Sequence, residues 1–381
     1  MKDLQDILRH IGRLEAANQP YVLATVVEID GAAYRGPGTR MLIVGSEATG
    51  TISGGCLESD VVQKAQQVLD DGHPQLLHYD STAEDDILWG TGLGCGGKVT
   101  VLLEKFPAES GPHYPHFLAR CIQHQQAGVL ATVFRSEQCT RRIHHLILHT
   151  DEAVEDNVED DTLRTAILQD AQEALATLHK APKPIAQGIT RHYNLTSGHA
   201  AVLLEPILPP VALTVFGAGY DAVPVVRLAN ELGWKVTVVD HRPALARPER
   251  FPDTCEIILA QDQTVPQHLP TAACTLVLIM THNYLRDQEI LKEILAGPSI
   301  YLGILGPRKR TQRLLDELRQ DNADLAPENI EHLFSPVGLD LGAESAEEIA
   351  LSIIGEMQAV LAGRPGGQLR TSKSPIHDRP S

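Results

Sequence analysis

Residues 212–240, ALTVFGAGYDAVPVVRLANELGWKVTVVD, decide the fold of the second half of this chain. An apolar strand leads into Gly217 and Gly219, and a helix follows from Ala222. The first glycine permits a tight turn, and the second allows a pyrophosphate to approach the backbone at the helix N-terminus. Asp240 ends the next strand, where a ribose-binding acid is expected. The stretch predicts a Rossmann-type fold, with either dinucleotide binding or a glycine turn that serves helix–sheet packing alone.

Further strands are predicted near 257–259, 275–280 and 300–304, and they complete a doubly wound parallel sheet. Open sheets of this kind bind ligands at the carboxyl ends of their strands, so the polar loops after these strands are candidate anion contacts. For the basic run Arg308-Lys309-Arg310, the alternative is a solvated first turn of a helix. For His282, the alternative is a surface histidine. The candidates in these loops are His282, Gly303, Gly306 and Arg308.

The first half of the chain has the pattern of an α+β unit. Strands are predicted over 21–29, 41–44 and 98–103, each rich in β-branched and apolar residues. The apolar spacing over 57–69 is helical. We therefore expect the residues up to about 205 to form one α+β unit.

Two short strings recur within this half. VLATV occurs at 22–26 and again at 129–133, and VLLE occurs at 101–104 and again at 202–205. The echo indicates either an internal duplication or two similar strands in one sheet.

These patterns predict an α/β protein with two domains and a tail. The N-terminal α+β domain is expected over 1–205, and the Rossmann-type domain over 206–362, with a proline-rich junction between them. Residues 363–381 lack the apolar content to fold alone, so we expect a mobile tail.

Composition excludes several classes of protein. The 381 residues are 43% apolar and 21% charged, which is typical of globular proteins and excludes a wholly disordered chain. The net charge of −17 argues against nucleic acid or an anionic membrane surface as a partner. The longest strongly apolar stretch, 274–280, is far shorter than the ~20 residues of a membrane-spanning helix. The six cysteines form no CxxC pair, so we expect a cytoplasmic protein with reduced thiols.

Two cysteines lie inside glycine-rich loops, which makes them candidate functional thiols. Backbone N–H groups and the dipole at a helix N-terminus stabilise a thiolate, the form that attacks sulfur or binds a soft metal. The alternative is a small residue that fits a tight turn. One loop, Ser53-Gly54-Gly55-Cys56-Leu57-Glu58, enters a helix, and the other, Gly92-Leu93-Gly94-Cys95-Gly96-Gly97, precedes a strand.

Two arginines flank the turn YRGPGTR at 34–40. Arg35 and Arg40 are candidates to hold a phosphate or carboxylate through two parallel hydrogen bonds, and an exposed turn arginine is the alternative. The histidines show no HExxH pattern or other spacing of zinc ligands, so no zinc site is predicted.

Blocks from both halves together resemble the XdhC/CoxI family of xanthine dehydrogenase accessory proteins. The region between about 107 and 204 adds little to the resemblance. The blocks are GAAYRGPGTRMLI, GTISGGCLE, GLGCGGKVTVLLE, VFGAGYDAVPVVRLANELGWKVTVVDHRP, MTHNYLRDQEIL, YLGILGPRKR and SPVGLDLGAESAEEIALSIIGEM.

The resemblance implies a non-catalytic helper of molybdenum hydroxylases. Such a protein binds the molybdenum cofactor, as molybdopterin or its cytosine dinucleotide, keeps it while an oxo ligand is exchanged for sulfido, and delivers it to an apo xanthine dehydrogenase-type enzyme. The implied partners are that enzyme, a cysteine desulfurase and a second copy of the chain. Cys56 matches the SGGC-LE block and becomes the candidate contact to molybdenum or sulfur; Cys95 matches the GCGG block. The candidate cofactor contacts around these cysteines are Arg35, Arg40, Ser53, Gly54, Gly55, Glu58, Gly94, Gly96, Gly97 and Lys98.

One residue departs from the family pattern. Many relatives have histidine after the GAG glycines, where this chain has Tyr220. The alternative function is an NAD(P)-dependent oxidoreductase, or a nucleotide or redox sensor, that uses the Rossmann-type domain. No acid–base pair for hydride transfer can be assigned from the sequence, which favours the accessory function.

Overall fold

The computed structural model describes residues 1–80, 97–107, 111–137, 142–180, 187–196, 198–260, 275–295, 300–320 and 330–371. These residues divide into two compact units, an N-terminal unit that ends at residue 209 and a C-terminal unit that begins at residue 210.

The N-terminal unit contains two five-stranded sheets. In the stretch of chain that forms each sheet, one helix precedes the first strand and a second helix lies between the third and fourth strands. The first set consists of α1 (Lys2–Ala16), β1 (Tyr21–Gly31), β2 (Arg40–Val44), β3 (Glu47–Gly50), α2 (Glu58–Asp71), β4 (Gln75–Asp80) and β5 (Gly97–Phe106). The second set consists of α3 (Tyr114–Gln123), β6 (Gly128–Ser136), β7 (His144–His149), β8 (Val154–Asp156), α4 (Asp161–Lys180), β9 (Ile189–Leu195) and β10 (Gly198–Ile207).

The two sets are structural repeats. The strand order is β3-β2-β1-β5-β4 in the first sheet and β8-β7-β6-β10-β9 in the second, so each strand has a counterpart. The recurring strings lie in counterpart strands and pair in the same register: Leu23 faces Glu104, and Leu130 faces Glu205. In both sheets the register then shifts by one residue just after the VLATV string. The strings therefore belong to an internal repeat and not to two strands of one sheet.

The central strands are buried on both faces because the repeats pack together through their sheets. On its outer face, β1 contacts α2 through alternate residues such as Val22 and Ala24. On the inner face, Leu102 of the first repeat packs with Phe134 and Leu203 of the second. This burial on two sides explains why the strands read as continuous apolar runs in the sequence.

One buried ion pair and one buried histidine–glutamate contact cross the layer between the sheets. Arg40 donates to both oxygens of Glu205, at 2.8 and 2.6 Å, and His145 Nε2 lies 2.9 Å from Glu104 Oε1. Arg40 and His145 hold counterpart positions next to the threonines of the VLATV strings, and the two glutamates are counterparts as well. Each pair therefore joins one repeat to the other. Gly38 fits here because a Cβ at its position would lie 2.4 Å from Glu205 Oε1.

The C-terminal unit is a Rossmann-type domain, which confirms the predicted fold class. Six parallel strands lie in the order β13-β12-β11-β14-β15-β16. One face is covered by α5 and α8, and the other by α6 and α7. Among the described helices, none combines the length and the apolar content needed to cross a bilayer. The elements are β11 (Ala212–Phe216), α5 (Ala222–Glu231), β12 (Lys235–Asp240), β13 (Glu256–Leu259), β14 (Thr275–Ile279), α6 (Tyr284–Ile294), β15 (Tyr301–Ile304), α7 (Arg308–Gln320), β16 (Leu333–Phe334) and α8 (Ala346–Leu361).

Removing one partner of the Arg40–Glu205 pair should destabilise the N-terminal unit strongly. In Arg40→Met the Glu205 carboxylate stays buried without its cation, so we expect a loss of about 3–5 kcal/mol in the free energy of unfolding. The double variant Arg40→Met/Glu205→Leu should lose less than either single variant, because no uncompensated charge remains. Urea unfolding measures the free energy of unfolding of Arg40→Met, of Glu205→Leu and of the double variant.

The exposed pair of Lys64 and Asp60, 3.4 Å apart, provides the control. Lys64→Met should change the free energy of unfolding by less than about 1 kcal/mol. Equal losses in Arg40→Met and Lys64→Met would contradict the importance of the buried pair.

Candidate functional site

Three of the sequence blocks meet at a small cleft in the N-terminal unit. The turn after β1, the loop between β3 and α2, and the start of β5 contribute its walls. The cavity volume is about 30 Å³, enough for one water-sized group. A larger ligand would have to lie across its rim, which includes Tyr34, Arg35, Ser53, Cys56 and Gly97.

The carboxylate of Glu58 organises the loop between β3 and α2. Five backbone N–H groups and two hydroxyl groups of the loop donate to its two oxygens, and the backbone distances are 2.9–3.2 Å. The donors are the amides of Ile52, Ser53, Gly54, Gly55 and Leu57 and the hydroxyls of Thr51 and Ser53. The loop is thus an anion-binding nest that the protein fills with its own carboxylate.

These hydrogen bonds decide the ionisation of Glu58. Burial by itself raises the pKa of this carboxyl, but the hydrogen bonds from Ser53, Thr51 and the loop amides outweigh burial and lower the pKa to about 2. Glu58 is therefore ionised at neutral pH, and its carboxylate oxygens are engaged by hydrogen bonds from its own loop. Glu58 is a candidate cofactor contact from the sequence, and in the structure its carboxylate positions the loop that carries Cys56.

Cys56 lies at the outer side of this loop. Its backbone N–H donates to Ser53 Oγ at 3.1 Å, and its thiol is exposed. Cys121 and Cys255, by contrast, are buried or half-buried, and burial raises the pKa of each thiol to about 12. Among the cysteines in the described part of the chain, Cys56 alone is exposed. Cys95, with Gly94 and Gly96, lies outside the described residues.

The second repeat shows that the fold does not require such a loop. Its counterpart connection leads from β8 into α4, where Asp160 Oδ1 accepts the backbone N–H groups of Thr162 and Leu163 at 2.9 and 3.0 Å. That is an ordinary side-chain cap at a helix N-terminus. The glycine loop with its exposed thiol is therefore specific to the first repeat, and it points to function.

The predicted basic residues separate into three environments. Arg35 lies at the cleft and pairs with Asp3 at 3.1 Å, whereas Arg40 is buried in its pair with Glu205. Lys98 is half-exposed and lies 3.2 Å from Asp80. Gly97 lies at the cleft wall, where a Cβ would come within 2.3 Å of the Ala32 carbonyl oxygen. Of these three cations, Arg35 alone lines the cleft.

The C-terminal unit has a topological switch point at the carboxyl ends of its strands. The strand order reverses between β11 and β14, and ligands of open parallel sheets bind at such a switch point. Gly217 (φ +117°) allows the loop after β11 to approach the loop after β14, because a Cβ would lie 2.4 Å from the Met280 carbonyl oxygen. Ala222 is fully buried beneath this loop, where α5 packs on the sheet.

Asp240 stands at the predicted position, at the end of β12, and its carboxylate is already engaged. It accepts the Ala218 N–H at 2.6 Å and the backbone and guanidinium N–H groups of Arg242 at 2.6–3.0 Å. Burial alone raises the pKa of Asp240, but these hydrogen bonds outweigh it and lower the pKa to about 2. The side chain therefore ties β12 to the glycine loop.

His282 faces the glycine loop and has a partner that the sequence did not identify. Its Nε2 lies 2.7 Å from Asp221 Oδ2, and its backbone has φ +60°, which is uncommon outside glycine. Tyr220 is exposed, and the Arg250 guanidinium stacks over its ring at 5.0 Å. Both contacts join residues distant in the chain, so local spacing gives no signal for them.

The remaining candidates in this unit lie on the β15 side of the sheet. Gly303 packs closely against Tyr301 and Val337, which gives it a packing role. Gly306 has φ +140°, and Arg308 is exposed at the start of α7.

Comparison with known proteins establishes the family. The model of the XdhC and CoxI family matches residues 14–80, and the model of the XdhC Rossmann domain matches residues 213–357. A Bacillus subtilis protein, named as a probable subunit of xanthine dehydrogenase, is 33% identical over 88% of this chain and 92% of its own length. The chain belongs to the XdhC and CoxI family.

Two further relatives span nearly the whole chain of this XdhC/CoxI protein. The crystal structure of a protein from Bacillus halodurans, described as a xanthine dehydrogenase, superimposes with a TM-score of 0.72 at 27% identity, and covers 96% of this chain and 98% of its own. The Escherichia coli molybdenum cofactor insertion chaperone PaoD is 22% identical over 94% of this chain and 89% of its own length. The resemblance seen in the sequence is thus confirmed.

Replacing Glu58 should loosen the loop that presents Cys56. In Glu58→Gln an amide group would face loop N–H groups, so donors would meet donors. We expect a loss of about 1–3 kcal/mol in the free energy of unfolding. Glu47→Gln, which changes an exposed glutamate of β3, should stay within about 0.5 kcal/mol of the unchanged protein. Equal stability of the two variants would contradict the role of Glu58.

The same carboxylate predicts a pH dependence. Because the pKa of Glu58 is lower in the folded protein than its ordinary value of 4.5, its contribution is complete above about pH 4.5 and is lost as the pH falls towards 2. The stability difference between the unchanged protein and Glu58→Gln should shrink over that window. A difference that stays constant from pH 6 to pH 3 would count against this assignment.

Proposed function

We propose that this protein is an accessory factor of a xanthine dehydrogenase-type molybdenum hydroxylase. It binds the molybdenum cofactor at the rim of the N-terminal cleft, holds it while a terminal oxo ligand is exchanged for sulfido, and delivers it to the apo-enzyme. The observation that carries the proposal is the exposed Cys56 on a glycine loop. At the counterpart position the second repeat has an ordinary helix cap at Asp160 instead.

The residues around the cleft suit this cargo. A cysteine sulfur is a soft ligand that binds soft metals and accepts sulfur, and Cys56 presents its thiol at the surface. Arg35, which pairs with Asp3, lies at the same rim and places a cation there for a phosphate of the pterin. The cavity itself is too small for a pterin, so the cofactor would lie over the rim, accessible to a cysteine desulfurase and to the client enzyme.

The net charge supports binding through local groups. A chain of net charge −17 repels an anionic cofactor at long range, so its affinity has to come from a few groups in contact. The relatives point the same way, since one is named an insertion chaperone and another is named as part of a xanthine dehydrogenase. The same proposal places the protein in the cytoplasm as a homodimer.

Cys56→Ala should abolish activation of the client without unfolding the protein. The apo-hydroxylase is incubated with cofactor, desulfurase and either variant, and client activity and cyanide-labile sulfur are measured. Cys255→Ala, which removes a free thiol in the other unit, is the matched control and should activate normally. Full client activity with Cys56→Ala would refute the assigned role.

A second candidate function, NAD(P) binding by the C-terminal unit, is favoured by the glycine loop at the switch point. In Gly219→Ala the new Cβ would meet only the tip of the Asp221 side chain, so the fold should persist while pyrophosphate approach is blocked. We expect calorimetry to show nucleotide binding to the unchanged protein, at least tenfold weaker binding to Gly219→Ala, and unchanged binding to Gly367→Ala, whose Cβ meets open space. Absence of binding to the unchanged protein would exclude the oxidoreductase and the nucleotide sensor alike.

A further inference from the structure

Two histidines and one glutamate converge where α1 meets α3 in the N-terminal unit. Glu15 lies in the last turn of α1, His113 precedes the first residue of α3, and His116 lies in its first turn. His113 Nε2 is 3.3 Å from Glu15 Oε1, and His116 Nε2 is 2.9 Å from Glu15 Oε2. One ligand atom from each side chain lies within 4.8 Å of the others. This cluster belongs to neither site described above.

The surrounding contacts hold these side chains in place. Positions three residues apart lie on one face of a helix, which brings the two imidazoles together at a centroid distance of 3.9 Å. The Phe106 ring packs edge-on against His113 at 5.5 Å. The Tyr21 hydroxyl donates to Glu15 Oε1 at 3.0 Å, the kind of outer hydrogen bond that orients a metal-binding carboxylate.

The spacing and chemistry fit a divalent transition metal. Zinc bonds to nitrogen and oxygen of about 2.0–2.2 Å place tetrahedral ligand atoms roughly 3.3–3.6 Å apart. His113 Nε2 and His116 Nε2 lie 3.3 and 2.9 Å from different oxygens of Glu15, and one ligand atom from each side chain lies within 4.8 Å of the others, so the three side chains can reach one ion. Two imidazoles with one carboxylate form a donor set that zinc uses in proteins. The His116 side chain is 65% exposed, whereas those of His113 and Glu15 are about one quarter exposed, so a fourth position would open towards solvent.

We propose that Glu15, His113 and His116 form a binding site for a divalent transition metal, principally Zn²⁺. The bound ion would link α1 to α3. Because α1 belongs to the first repeat and α3 to the second, the metal joins the two repeats on the side of the unit where these helices pack. The sequence predicted no zinc site because Glu15 is remote in the chain from the two histidines. The alternative is a hydrogen-bonded cluster in which both rings share the carboxylate without a metal.

Zinc titration of the full-length protein tests the site. The protein is freed of metal by dialysis against a chelator, and ZnCl₂ is titrated calorimetrically and in competition with a chromophoric chelator. We compare the unchanged protein with His116→Gln, Glu15→Gln and His124→Gln; His124 is an exposed histidine at the C-terminal end of α3. Thermal unfolding is recorded with and without zinc.

The unchanged protein and His124→Gln should bind zinc with the same affinity and gain thermal stability on binding. His116→Gln and Glu15→Gln should bind at least tenfold more weakly and lose the thermal gain. Because His116 is largely exposed, its replacement should leave the metal-free fold intact. Equal zinc affinity in the unchanged protein and His116→Gln, or no zinc binding in the unchanged protein, would overturn the proposal.

Discussion

The buried ion pair between Arg40 and Glu205 supports the geometry on which the candidate site depends. It crosses the apolar layer between two repeated sheets, and its counterpart, His145 with Glu104, crosses the same layer in the opposite sense. Because a buried charge is costly unless it is paired, and a buried polar group is costly unless it is hydrogen-bonded, the two crossings favour one register of the sheets over others. Arg40 also begins β2, so the pair anchors the end of the turn that brings Arg35 to the cleft.

Within that frame, one repeat has gained chemistry and the other has kept an ordinary helix cap. The first repeat uses a carboxylate, Glu58, to fill a nest of loop N–H groups, and the loop can then present Cys56 outward. The second repeat begins the corresponding helix with Asp160 alone. Duplication of a fold followed by divergence of one loop explains both the likeness of the sheets and the difference between their helix entries.

The sequence predicted the features that depend on local order. The strand–glycine–helix pattern around Gly217 identified the Rossmann-type unit, because each element is encoded by adjacent residues. Side-chain roles were harder to predict, since they depend on partners far away in the chain. Arg35 and Arg40 look equivalent within one short turn, yet one reaches the cleft and the other is buried against Glu205. Asp240 lies at the position expected of the acid that binds the ribose, but its carboxylate already accepts hydrogen bonds from Arg242 and from the Ala218 N–H.

The account depends most on the claim that the loop around Cys56 receives a molybdenum cofactor. The direct measurement is the molybdenum and pterin content of the protein purified without oxygen from cells that synthesise the cofactor. The account predicts near-stoichiometric molybdenum and pterin with the unchanged protein and neither with Cys56→Ala. Recovery of NAD(P) without pterin, or equal pterin in both proteins, would contradict it.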